Sequence, residues 1–262
     1  MNASFLAHAY HDGQSEYRRS AHAFTSLYAR QAWDLAHVRP GASVLDIACG
    51  TGSLAFIAAA QGARVLAIDY SPGMVDAVNA AAKPGVEASV MDGQALDLSD
   101  GEFDAVFSLF GIMLFPDWRR GLSEMARVVR PGGTGCVASW HHPGGAALNM
   151  LLAEYLGAHF PYHPASAGTG GMDHFADPDR FARAMQAAGF VDVGVHEITN
   201  DYVVNDRVMA DLEGTMAFNP LWRSCDERQH AEFTAMLVER RDAANGRLLL
   251  PSPALIALGV RL

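Results

Sequence analysis

Between residues 40 and 140, short apolar runs alternate with longer stretches whose apolar positions recur every three or four residues. The runs SVLDIA (43–48), RVLAID (64–69), VEASVMD (86–92), FDAVFSL (103–109) and TGCVASW (134–140) predict five strands. Several are apolar almost throughout, as strands buried on both faces are. Helical periodicity fills 53–61, 72–82 and 117–130, and RPGG closes the last of these with a turn. Such alternation predicts a parallel sheet with helices on both faces and right-handed crossovers. Upstream, residues 1–40 place Phe24, Leu27, Tyr28, Trp33, Leu35 and Ala36 at helical spacing. Downstream of Trp140 the text is rich in Gly, Pro and His, with a short helix near 146–158. DPDRFARAMQAAGF then reads as a helix with Asp177 as its cap and Gly189 as its stop. VDVGVHEITNDYVV alternates as a strand, 206–244 is mostly helical, and LLLPSPALIALGVRL is a β-rich close. The expected organisation is one domain, 1–262, with N-terminal helices in 1–40 and cap insertions at 141–175 and 206–245.

Composition narrows the chemistry. A net charge of -10 argues against a nucleic-acid partner, which needs a basic surface. No apolar run approaches the ~18 residues of a membrane span, and the N-terminus lacks a basic segment followed by an apolar one. The expected compartment is the cytoplasm, with no membrane partner. Cys49, Cys136 and Cys225 are far apart and read as small buried hydrophobes in a reducing compartment. Lys83 is the single lysine of the chain. That excludes a Gly-Lys-Ser/Thr phosphate loop and the tyrosine–lysine pair of short-chain dehydrogenases. The eleven histidines form no helix-spaced pair beside carboxylates, so no metal site is expected.

The candidate chemistry begins at LDIACGTGSL, where Gly50 and Gly52 follow one strand and open a helix. A nicotinamide site would set a pyrophosphate at that helix start, with an acid about 20 residues on for the ribose. A methyl-donor site would use the same close backbone approach for the methionine part and ribose of S-adenosylmethionine. Asp69 serves either reading. Asp46, inside the strand, would repel a pyrophosphate but suits the amino group of an aminocarboxylate ligand. Asp92 in MDGQ is placed to accept from an adenine amino group. The glycine loop, Asp69, Asp92 and Leu109 all fall at carboxyl ends of strands, where open α/β sheets bind ligands. The residues favour the methyl donor.

On these residues the chain resembles the class I S-adenosylmethionine-dependent methyltransferases, closest in character to the small-molecule branch that includes ubiquinone/menaquinone-biosynthesis-like enzymes. VLDIACGTG is similar to the family's first motif, with Asp46, Gly50 and Gly52 in place and Ala48 where glycine is usual; Ala48 and Cys49 join them as candidate donor contacts. VLAIDYSPGMV resembles the second, implying Asp69 for the ribose and Tyr70 and Met74 beside the adenine. VMDGQAL resembles the adenine-edge motif, with Asp92, Gly93 and Gln94. The resemblance runs over about 40–140 and more loosely over FADPDRFARAMQAAGF. It implies a Rossmann-like α/β fold of seven strands in the order 3-2-1-4-5-7-6, the seventh antiparallel, with S-adenosylmethionine as cofactor. Tyr28 is expected to cover the methionine end of the donor.

The acceptor pocket is expected between the ends of strands four and five and the cap. Its candidate linings are Phe110, Met113, Phe115, Trp140, His174, Met216, Phe218 and Trp222, although each also suits plain core packing. His141 or His142, just past strand five, is the candidate base, and strand alternation turns at most one of them inward. No Asn/Asp-Pro-Pro-Tyr/Phe element, paired-glutamate loop or adjacent cysteines point to bases, protein arginine or arsenic. The expected function is methyl transfer to a small, aromatic or apolar organic acceptor at O, N or C. The alternative is a donor-binding protein that has lost or repurposed transfer, and protein or nucleic-acid methylation comes after it. Neither the acceptor nor the oligomeric state is written in the sequence.

Overall fold

The computed structural model describes residues 22–143, 145–160, 170–217 and 219–262. Seven strands form one sheet: β1 (Ser43–Ile47), β2 (Arg64–Asp69), β3 (Val86–Val90), β4 (Phe103–Leu109), β5 (Val129–Trp140), β6 (Phe190–Val204) and β7 (Leu248–Arg261). Their order is β3-β2-β1-β4-β5-β7-β6. The first five run parallel, and β7 pairs antiparallel with both β5 and β6. The expected sheet order and the antiparallel seventh strand are therefore met.

Helices cover both faces. α1 (His22–Ala36), α2 (Ser53–Ala60) and α3 (Pro72–Ala80) come first, followed by α4 (Trp118–Val128) and a 3-10 turn at Ile112–Leu114. Then come α5 (Ala147–His159), α6 (Gly170–Phe175) and α7 (Pro178–Ala187). Between β6 and β7 lie α8 (Asp206–Ala210), α9 (Leu212–Met216), α10 (Pro220–Arg223) and α11 (Glu227–Ala243). Asp177 caps α7 as expected, accepting from the Arg180 N–H. Val44, Leu45, Ile47, Val106 and Phe107 are fully buried, which accounts for the unbroken apolar text of β1 and β4.

One local expectation changes. RPGG does not end a helix in a turn; α4 stops at Val128 and β5 begins at once. The ladder pairs Val129 with Phe103, shifts register, and resumes at Thr134 with Ala105. A Cβ on Gly133 would lie 2.8 Å from the Asp104 carbonyl, so this irregular stretch can hug β4 only without a side chain. Asp104 staples the same end of the sheet. Its carboxylate accepts from the Ser43 N–H (2.7 Å), the Ser43 hydroxyl (2.9 Å) and Arg130 Nε (2.7 Å). These bonds hold its pKa down to about 2.

At the opposite end, β7 carries Pro251 and Pro253 within a strand that has two neighbours. The His141 N–H donates to the Pro253 carbonyl, so Pro253 faces the side where β5 ends, and Pro251 shares that side. Pro253 has no N–H to return that bond, and pairing along this edge ends just beyond Trp140.

The apolar interior falls into two clusters. The larger follows the sheet from Tyr28 to Ala257. The smaller joins Leu148, Leu151, Leu152 and Leu156 of α5 to Val204, Leu212, Met216, Leu221, Trp222, Phe233, Leu237 and Leu250. It thus packs α5 against the helices that lie between β6 and β7, across the tips of those two strands.

Candidate functional site

The glycine loop leaves β1 through two consecutive constraints. Ala48 adopts φ 57° and Gly50 φ 54°, both left-handed. Glycine suits such a position because an L side chain there costs ~1 kcal/mol or more. The small methyl of Ala48 is tolerated. Gly52, at φ 87°, opens α2, and a Cβ on it would come 2.7 Å from the Phe56 ring. The loop is then drawn toward β2: the Gly50 N–H donates to one Asp69 oxygen and the Ser71 N–H to the other, each at 2.9 Å. Asp69 therefore stands at the β2 tip with both oxygens oriented by backbone. Burial raises its pKa, against the pull of those two bonds.

Asp46, Ala48, Cys49 and Gly50 line one pocket together with Leu109 and Phe110. Thr25 and Ala29 of α1 and Ser53 and Leu54 of α2 complete the lining. Those four are absent from the candidates read in the sequence. The signal for Thr25 and Ala29 is the amphipathic pattern of α1, whose inward face rests on the glycine loop; Ser53 and Leu54 close the LDIACGTGSL stretch itself. His22, at the head of α1, ties the two together through Thr51 Oγ1 (2.7 Å) and Ser53 Oγ (3.1 Å). Asp46 is 2% exposed, and burial pushes its carboxyl up to about 8, opposed by the Ala55 N–H and assisted by Asp69. The Cys49 thiol is likewise raised by burial and by the two carboxyls nearby, so it is an inert lining atom. Cys136 is buried, whereas Cys225 is only half-buried, a partial departure from the expectation of three buried thiols.

The adenine-edge residues lie on the far side of Asp69. Tyr70 is 62% exposed, while Met74, on the inner face of α3, is buried. One oxygen of Asp92 accepts from both the backbone N–H (2.9 Å) and the side-chain amide (3.2 Å) of Gln94. Gln94 in turn accepts from the Asp117 N–H through Oε1, so its amide braces the loop against the start of α4. Gly93 has no room for a side chain: a Cβ would lie 2.7 Å from Phe115 and 2.8 Å from Ile47. Phe115 also fills the notch at Gly121, where a Cβ would be 2.6 Å from its ring.

Around the tips of β4 and β5 the structure gathers aromatic rings. Phe110, held at φ 62°, stacks on Trp140 with centroids 3.9 Å apart. Phe24 lies parallel to Trp140 on α1, and Tyr28 meets both Phe110 (5.5 Å) and Trp140 (5.3 Å) edge-on. Tyr202 of β6 closes the group against Phe24 at 5.2 Å. The Tyr28 hydroxyl donates to the Ser252 carbonyl, and burial pushes it up to about 12; what it turns toward Phe110 and Trp140 is its ring. Past Trp140, His141 Nδ1 lies 3.5 Å from Glu197, and His142 beside it is half-buried.

The remaining candidates are dispersed. Ser139 Oγ donates to Met113 Sδ at 3.3 Å beneath β5. His174 stacks on Trp118 at 4.5 Å, and burial and Arg119, Arg180 and Arg183 lower its pKa. Met216 and Trp222 sit in the smaller cluster, with Trp222 stacked on His230 and its indole N–H donating to Glu213. Phe218, His8, His11, residues 1–21 and residues 161–169 of the first insertion lie outside the described residues. Among the described residues no cluster of His, Cys, Asp and Glu has the arrangement of a metal site. No helix among them is long and apolar enough to cross a membrane.

This arrangement fits an adenosine-bearing aminocarboxylate. It offers a carboxylate oriented by backbone N–H groups, a glycine loop along the pocket, and an acid in the pocket wall. Ser71 Oγ, beside Asp69, is a buried hydroxyl with no partner among the described residues, as expected of a group that awaits a ligand. Residues 44–133 match the family model described as "Methyltransferase domain". A demethylmenaquinone methyltransferase of Renibacterium salmoninarum is 30% identical over 205 residues, covering 75% of this chain and 85% of its own. An uncharacterized protein of Mycobacterium tuberculosis is 37% identical over 133 residues, covering 50% of this chain and 46% of its own. The chain thus spans less than half the length of that relative. Among solved structures, Haemonchus contortus phosphoethanolamine N-methyltransferase 2 in complex with S-adenosylhomocysteine has the same fold. Its TM-score is 0.56 at 17% identity, covering 89% of this chain and 52% of that one. The chain belongs to the class I S-adenosylmethionine-dependent methyltransferases. Its cofactor is S-adenosylmethionine.

Proposed function

We propose that this protein transfers a methyl group from S-adenosylmethionine to a small, planar, largely apolar organic molecule. The observation that carries the reading is the ring wall at the mouth of the donor pocket: Phe110 lines that pocket and is stacked on Trp140. Flat aromatic surfaces beside a polar donor site favour an acceptor that stacks and brings few charges. The kinship with a demethylmenaquinone methyltransferase supports a quinol-like ring. The bound donor supplies a methyl group already activated by a sulfonium, so the protein's tasks are alignment, exclusion of water and, for a hydroxyl, proton removal.

In this reading Asp69, Asp92, Tyr70 and Met74 hold the adenosine, while Asp46 and the glycine loop hold the amino-acid end. Phe110 and Trp140 orient the acceptor ring. His141, with Glu197 beside Nδ1, takes the acceptor proton at its other ring nitrogen. The single domain is capped by 141–175 and 206–245, and Met216 and Trp222 shape that cap from within. Cytoplasmic location belongs to the same proposal. Turnover of S-adenosylmethionine should be measured with reduced naphthoquinones, phenols and alkyl amines side by side. The reading expects turnover with the planar hydroxyl compounds. Methylation of amines alone, or donor binding without transfer to any of them, would overturn it, the latter in favour of a protein that has lost or repurposed transfer.

A further inference from the structure

Asp46 forms part of the donor pocket wall from the end of β1, almost without exposure. Among the described residues its carboxyl accepts one hydrogen bond, a long one, from the Ala55 N–H at 3.2 Å. The groups around it are these: α1 contributes Thr25 and Ala29, α2 contributes Ser53 and Leu54, and β4 contributes Leu109 and Phe110. The titratable neighbours are the Cys49 thiol in the loop and the Asp69 carboxyl at the β2 tip. The nearest base on α1 is His22, bonded to Thr51 and Ser53. Among the described residues no lysine or arginine lines the pocket. A buried carboxylate with one backbone donor and no counter-charge is costly, and such a group takes up a proton instead.

We propose that Asp46 is a neutral acid in the ligand-free protein and surrenders its proton when a cationic amino-acid ligand enters, so that the ligand's positive charge replaces the proton. This inference rests on the donor assignment above. It makes Asp46 a specificity-determining residue: ligands with an ammonium gain a buried ion pair, and neutral adenosine thioethers leave the acid protonated. The raised value of about 8 agrees with this picture. The sign follows from linkage. A proton is released on binding, so affinity climbs as pH rises toward about 8, by up to about tenfold per unit, and falls above it as the ligand's own ammonium loses its proton. A ligand α-amino group titrates near ~7.7–8.0, so at pH 7 it is already mostly charged and takes up little.

Calorimetric titration at pH 7 in buffers of different ionisation enthalpy counts the protons directly. The full chain should release close to one proton on binding S-adenosylhomocysteine and close to none on binding 5′-methylthioadenosine. Asp46→Asn should bind S-adenosylhomocysteine more weakly and release no proton. Binding of S-adenosylhomocysteine without proton release, or release that persists in Asp46→Asn, overturns the inference and leaves the donor assignment standing. Absence of S-adenosylhomocysteine binding in every buffer overturns the donor assignment itself. Should Asp46→Asn fail to fold, the wild-type pH dependence decides: affinity rising roughly tenfold from pH 6 to 7 supports the inference, and a flat profile sinks it.

Discussion

The sheet body and the inserted helices are built on opposite principles. In the body, function is carried by backbone: a left-handed Ala48, a glycine that opens α2, and amide groups aimed at Asp69. Few residues can occupy those positions. In the insertions, α5 and α8–α11 come together through apolar bulk, with Leu152, Phe233 and Leu237 fully buried or nearly so. Their polar features are local, such as the capping box of Asp226 and Gln229 at the head of α11. Many apolar sequences of similar volume could fill that cluster. The loop end is therefore tightly constrained in sequence, while the helices of the smaller cluster are free to vary at constant volume.

The comparison breaks most visibly at Phe233. Truncating this buried ring to Ala should cost ~3–5 kcal/mol, the scale for large aromatic cavities. Hydrogen exchange should show the loss confined to 147–159 and 206–243. Uniform loss across the sheet would mean that the two clusters unfold as one unit.

A smaller effect sharpens the other side. Asp104 has a depressed pKa, so its contribution to stability is present above the ordinary carboxylate value and fades as pH falls toward about 2. Asp104→Asn should lower the melting temperature at neutral pH, with the gap to wild type closing as the pH drops from 4 to 2. A gap that persists through that range would show that packing, not charge, holds the β1, β4 and β5 starts together.

Much of the body was legible because its signals are local. Strands buried on both faces read as unbroken apolar runs, and the loop that binds a ligand needs glycine at fixed offsets. Even there, RPGG read as a turn, since only the closeness of β4 draws it into a strand. Side-chain destinations were harder. Phe115 is aromatic and sits past strand four, yet its ring fills the notch between Gly93 and Gly121, two residues far apart in sequence. The Tyr28 hydroxyl bonds to Ser252, 224 positions away. His174 stacks on Trp118, whose place beside it depends on how α6 folds back. In the insertions, α5 meets α11 only through tertiary packing, and their helical patterns name no partner. What the sequence carried there was helix, not neighbour.

The central claim is that the donor site belongs to the body and turns on Asp69. Calorimetric titration of S-adenosylhomocysteine into wild type, Asp69→Ala and Phe233→Ala tests it most directly. Removing a carboxylate that accepts charge-assisted bonds should weaken binding by more than ~1.5 kcal/mol, at least about tenfold. Phe233→Ala should stay within about twofold of wild type, because the smaller cluster shares no residue with the pocket around Asp46 and Gly50. Unchanged affinity in Asp69→Ala, or a greater loss in Phe233→Ala than in Asp69→Ala, would contradict the account.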